Sequence, residues 1–390
     1  MWAPAFLLTG LLAAAPQAVQ TNAFAVWASA GEDLTLSKHR LATLTVGGPA
    51  HPKDLGAALN EATGLTTQHE RLLARYRDGL RSPRCEVTPE LAAQLWNVTW
   101  GSDGVLGLTI IAAYQGRTRL DGLQVMLEVA GVLARCQGGL SSVSGAVYMF
   151  RLCQKVALWL AERGRLSVPQ ANQLAHAMAK HRPSWDLLRI GLERDAQQLI
   201  DGRLRHFVGN DPRLFSWEET RDLLRREVDF VYDLAIRQPP NWFEVWSARG
   251  KTLVSDDDRM FAHEVGSILD PQKAPQALTK LLARQPPLPA NLIGRLLVEI
   301  VRPSAPSVVA IAQLIATGPL AGEILVEGAR LVDIRRRGGT VVTRQVGAMN
   351  ISADGIHGLA PQGGPVEFTV QLDEKLSLPE APAHETGAKP

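Results

Sequence analysis

The sequence is poor in the features that usually announce a chemistry. It has 390 residues and only three cysteines, Cys85, Cys136 and Cys153, with no two in a C-x-x-C arrangement. That spacing excludes the common zinc and dithiol redox motifs. An odd set this small gives no disulfide framework either, and all three read as small buried hydrophobes. Cys153 lies about 12 residues beyond the predicted turn that carries Cys136, roughly 18 Å along a helix, which is out of reach of the ~7 Å Cα separation that a bridge tolerates.

Charge of one sign is also lacking. Basic residues number 41 and acidic residues 39, a net charge of +2, so no global field draws the chain to nucleic acid, and no nucleic-acid partner is expected. No apolar run reaches the about 20 residues of a membrane span. There is no G-x-S-x-G elbow, no phosphate-cradling G-x-x-x-x-G-K-[ST] and no G-x-G-x-x-G. His176 and His181 are five residues apart, which on a helix turns them about 140° from each other, and His263-Glu264 lacks the second histidine of H-E-x-x-H. No catalytic residue, metal site or cofactor is therefore assigned.

What is present begins at the N-terminus. Residues 1–18 form an uncharged apolar stretch, Ala3 to Ala15, ending in the small-residue segment Ala15-Pro16-Gln17-Ala18. This is the pattern of a signal peptide or N-terminal anchor, although the usual Lys or Arg before the apolar core is missing. It predicts a periplasmic, extracytoplasmic or membrane-anchored protein. The alternative is a cytoplasmic fold in which Phe6 to Leu12 is the first buried helix.

A composition of 46% hydrophobic and 21% charged residues is that of a globular chain with a real core. Residues 22–337 read as a helical domain. Asp54 to Leu80 is a helix interrupted at Gly64, with Leu59, Ala62, His69, Leu73 and Tyr76 on one face. Thr88-Pro89-Glu90 starts a short helix through Trp96. Val105 to Tyr114 and Leu120 to Ala134 are so apolar that other helices must surround them, and Ala146 to Glu162 keeps only a narrow polar stripe, with Tyr148 and Trp159 covered. Ser167-Val-Pro169 caps a helix to His181. Leu188, Leu192, Ala196, Leu199 and Leu204 line the next, with Arg189 and Glu193 paired on its wet side. Ser216 opens a helix to about Arg237, short helices follow to Val301, and Val308 to Arg336 carries a predicted break near Gly318-Pro319.

After Gly338-Gly339 the period changes. Residues 338–376 read as a small antiparallel β segment, from the alternation in Val366 to Leu372 and the turn signal Asp354-Gly355, and 377–390 as a disordered tail. Thr35 to Val46 is a candidate for further short strands. The fold class is thus mainly α, an irregular multi-helix bundle with some helical-repeat character and a small β-rich C-terminal segment. Ala161 to Ser167 resembles a tetratricopeptide turn, but no fixed 34-residue period supports a solenoid.

Five residues are candidates for ligand binding. His69 sits on an apolar helix face, Glu128 is one of the few polar groups in its helix, and Arg151 lies on the polar stripe of another. Trp242 and Trp246 belong to the densest aromatic group, Pro239 to Trp246. With no catalytic constellation, the expected function is an interaction or structural component of the bacterial cell envelope with a protein partner and an N-terminal membrane association, not an enzyme. The alternative is an enzyme or apolar-ligand binder with its site between the central helices, built on His69, Glu128 and Arg151.

Overall fold

The computed structural model describes residues 22–32, 52–88, 91, 93–136, 138–198, 215–254, 267, 272–283, 291–301 and 305–337, with three short C-terminal segments, 344–346, 349–352 and 355–357. The chain is mainly helical, with thirteen helices among the described residues. They are α1 (Ala23–Glu32), α2 (Pro52–Gly64), α3 (Thr66–Leu80), α4 (Leu95–Tyr114), α5 (Asp121–Arg135), α6 (Gly139–Glu162) and α7 (Val168–His181), followed by α8 (Trp185–Gln198), α9 (Trp217–Arg237), α10 (Trp242–Leu253), α11 (Ala274–Leu282), α12 (Leu292–Val301) and α13 (Ala305–Arg336).

Local rules place most of these elements. Ser167 and Gln170 form a capping box at the start of α7, with Pro169 in its first turn. The Ser216 hydroxyl accepts the Glu219 N–H at the start of α9, and Gln238, left-handed at φ 41°, ends it before Pro239-Pro240. The break between α2 and α3 falls at Leu65, beside the predicted Gly64.

Two apolar clusters hold the helices together. The first gathers α1 and α3 to α7, with Leu59 and Ala62 of α2 and Ile324 to Leu331 of α13. The second gathers α8, α9, α12 and the first half of α13, Val308 to Ile315, with Val143 and Val147 of α6. So α6 and α13 run through both. At the centre of the first, every residue of α4 from Val98 to Tyr114 except Trp100 is buried.

Four expectations are corrected. Trp96 lies in the first turn of a continuous helix, α4, where the sequence pointed to a short helix ending there. The run Gly101-Ser-Asp-Gly104 has poor helix propensity, but it is buried, and at Gly101 only a missing Cβ lets the Tyr76 hydroxyl approach. α13 continues across Gly318-Pro319. A proline inside a helix costs about 3 kcal/mol, whereas each Val or Ile buried in the flanking halves contributes about 1.5–3 kcal/mol, so two cores hold the two halves in one helix. Tyr148 is 39% exposed, widening the polar face of α6 beside Arg151. And Cys85 and Cys136 form a disulfide, their Cα atoms 5.1 Å apart across 51 residues, while Cys153 is the buried free thiol expected of it.

Beyond α13 the described residues are the strands β1 (Arg344–Val346), β2 (Met349–Ser352) and β3 (Gly355–His357), antiparallel in that order. They are too short to establish the expected C-terminal β segment. The leader at 1–18, the strands expected at 35–46, Leu199, Leu204, Val366 to Leu372 and the tail at 377–390 lie outside the described residues.

Candidate functional site

α9 presents Leu224, Val228, Val231 and Ala235 to the second core, and one charged residue, Glu227, stands in that stripe. Its side chain is 0% exposed and its Oε1 accepts a hydrogen bond from Arg249 Nε of α10 at 2.7 Å. Oε2 has no hydrogen-bond partner among the described residues. The Arg249 guanidinium, 34% exposed, also lies over the Phe230 ring, 5.5 Å from its centroid. A buried carboxylate is tolerable only when a cation neutralises it, and here the cation reaches it from the solvent side.

The same short helix carries an aromatic ridge. Trp242 meets Phe243 edge-on at 5.7 Å, and Phe243 meets Trp246 at 5.9 Å. Trp242 and Trp246 are half-buried against the second core, while Phe243 remains 55% exposed. α10 therefore offers apolar ring area beside a guanidinium. These groups bind; the ridge itself contains no nucleophile and no acid–base pair.

Of the five candidate residues the structure brings two together, Trp242 and Trp246. His69 is buried on α3, whose Leu72, Leu73 and Tyr76 enter the first core. Glu128 and Arg151 are exposed, on α5 and α6. The field of Glu128 reaches His181 of α7, where burial and then Lys180 depress the imidazole below its ordinary value while Glu128 pulls the other way. Among the described residues no group of three or more His, Cys, Asp or Glu could hold a metal ion.

A second polar cluster braces the start of α5. Arg119 donates to Glu70 of α3 and to Asp121, at 2.8 Å for the latter, and Arg77 reaches Asp121 at 3.0 Å. Hydrogen bonding by Arg119 holds the Glu70 carboxyl below its ordinary value. For Asp121 burial pushes upward, but Arg119 outweighs it with help from the Gly122 N–H. These part-exposed pairs are each worth about 0–1 kcal/mol and orient two helices.

Glu227 and Arg249 were missed by reasoning from sequence, although a signal existed. Glu227 falls at i+3 from Leu224 and i−4 from Val231, inside an apolar stripe where a charge requires a partner.

No protein-family model, curated protein or solved structure matches this chain. The reading of its function rests on its own residues.

Proposed function

We propose that this chain is an exported or membrane-anchored helical protein acting as an interaction or structural component of the bacterial cell envelope, and not as an enzyme. The observation that carries the reading is the Cys85–Cys136 disulfide, since such bonds persist in oxidising compartments and are rare in the cytosol. It agrees with the apolar leader at 1–18, after which the first described helix begins at Ala23. No helix among the described residues is long and apolar enough to cross a membrane. The exposed Phe243 ridge supports a protein partner, aromatic residues being enriched where proteins meet.

The test is thiol trapping in intact cells of the native host. Cys85 and Cys136 are expected to resist alkylation after denaturation unless a reductant is added first. Alkylation of both without reductant would defeat the reading.

A second reading, an apolar-ligand binder, draws on Glu227 Oε2, which has no hydrogen-bond partner among the described residues, and on Trp242 and Trp246 of the helix that carries its partner Arg249. It moves the site from His69, Glu128 and Arg151 to the contact of α9 with α10. Saturable quenching of tryptophan fluorescence by an apolar probe, abolished by Trp246→Leu, would favour it. The C-terminal β segment belongs to the same proposal: β1 and β2 lie against α13, which would cover one face of a small sheet.

A further inference from the structure

The turn between α5 and α6 is gripped from two sides. Cys136 ends α5, Gly138 and Gly139 follow, and α6 begins. From α8, Arg194 Nη1 donates to the Cys136 carbonyl at 2.9 Å. The next residue, Asp195, accepts the Leu140 N–H with a carboxylate that fills the place a side chain on Gly139 would take. Gly139 is at φ +66°, so glycine suits this position twice over. Consecutive residues of α8 thus hold both flanks of one turn.

On the other side the disulfide joins Cys136 to Cys85, which lies in a non-helical segment tied to α1. Asn22 Oδ1 accepts the Glu86 N–H at 3.0 Å, its Nδ2 donates to the Glu86 carbonyl at 2.8 Å, and Ala23 N–H donates to the Arg84 carbonyl at 2.8 Å. Val87 and the Ser142 hydroxyl crowd Gly138, and that buried hydroxyl has no hydrogen-bond partner among the described residues. A buried hydroxyl left unsatisfied is unfavourable, so the turn is held in an arrangement that its own contacts do not fully satisfy.

We propose that the Cys85–Cys136 disulfide is a redox-controlled clamp: closed, it fixes the α5–α6 turn in the shape that Arg194 and Asp195 grip, and opened, it loosens α8 from that turn. The reaction that opens it is exchange with a dithiol. A thiolate of the reductant attacks the Cys85 sulfur, which is the more accessible because Cys85 is half-buried and Cys136 only 2% exposed. Cys136 leaves as a thiolate and takes up a proton. The second thiol of the reductant then displaces Cys85, so two electrons pass to the protein, which gains two thiols while the reductant becomes a cyclic disulfide. The clamp is a property of the fold and operates whether or not the chain is exported.

Hydrogen–deuterium exchange of the full chain tests it, with and without dithiothreitol and in three variants: Cys85→Ser, and, with the disulfide intact, Arg194→Ala and Asp195→Asn. Reduction and Cys85→Ser are expected to speed exchange in 136–143 and 185–198 about tenfold more than in α4, which changes only by the global loss of stability. Arg194→Ala should reproduce the effect in 185–198 with the disulfide still closed. Faster exchange confined to 82–88 would overturn the proposal. So would a loss of protection of equal size in every helix, which would make the bond a support of the whole fold and not of this turn; the reduced wild-type chain supplies the result if Cys85→Ser fails to fold.

Discussion

Trp27 and Tyr76 stack with ring centroids 6.3 Å apart and planes 13° from parallel, and Trp27 Nε1 donates to the Tyr76 carbonyl at 3.1 Å. The Tyr76 hydroxyl in turn donates to the Val98 carbonyl at 2.6 Å, so two side chains tie α1, α3 and α4. Truncating a large buried aromatic costs about 3–5 kcal/mol, and losing one neutral hydrogen bond about 1 kcal/mol. Trp27→Ala is expected to fall in the first range and Tyr76→Phe near the second, measured from urea midpoints at constant slope.

Arg249→Ala should cost about 3–5 kcal/mol, because it leaves the Glu227 carboxylate buried without its cation. Removing both charges, as Glu227→Leu with Arg249→Met, should recover most of that stability. If the single variant is as stable as the wild type, Glu227 is reached by water and the pair is an ordinary surface one. Urea denaturation of both variants decides.

Asp195 makes stability depend on pH in a direction opposite to the usual carboxylate. Burial lifts it from 3.8 to about 6, against the Leu140 N–H that favours the charged form. The folded chain therefore binds a proton there that the unfolded chain does not between about pH 4 and 6, and this group adds stability as pH falls through that window. His181, depressed by burial, works the other way and loses stability as its imidazole is protonated. The difference between wild type and Asp195→Asn isolates the first effect. The variant should gain on the wild type as pH rises from 4.5 to 7.5; a constant difference would show that Asp195 does not titrate there.

Opening the Cys85–Cys136 loop should also lower global stability. Closing 51 residues corresponds to about 4 kcal/mol of chain entropy at 25 °C. Calorimetry of the oxidised and reduced chain should show a lower midpoint on reduction, and Cys153→Ser, which leaves the bond intact, should change little beyond packing.

The sequence made α3 and α5 to α9 legible because each carries its own local signal: the Gly64 break, the Ser167 and Ser216 caps, Pro183, Pro239. α1 was missed although Phe24, Trp27 and Ala28 are spaced i, i+3, i+4, because ten residues with no cap offer little beyond that. Both misjudged helix boundaries, at Trp96 and at Pro319, are places where tertiary burial overrides local propensity. The disulfide was illegible for a different reason: the approach of Cys85 to Cys136 is made by the packing of α1 and α4 to α6, which no spacing rule contains. The candidate site was half legible. Trp242 and Trp246 share one helix and could be read from the chain, whereas the burial of Glu227 against Arg249 is a meeting of two helices.

The most direct test of the account separates soluble, periplasmic and membrane fractions of the native host and measures the intact mass of the protein in each, with and without reduction. The account predicts an extracytoplasmic or membrane species that gains two hydrogens on reduction, lacking the leader if that is cleaved and full-length in the membrane if it is not. A full-length soluble cytoplasmic species whose mass does not change on reduction would contradict it.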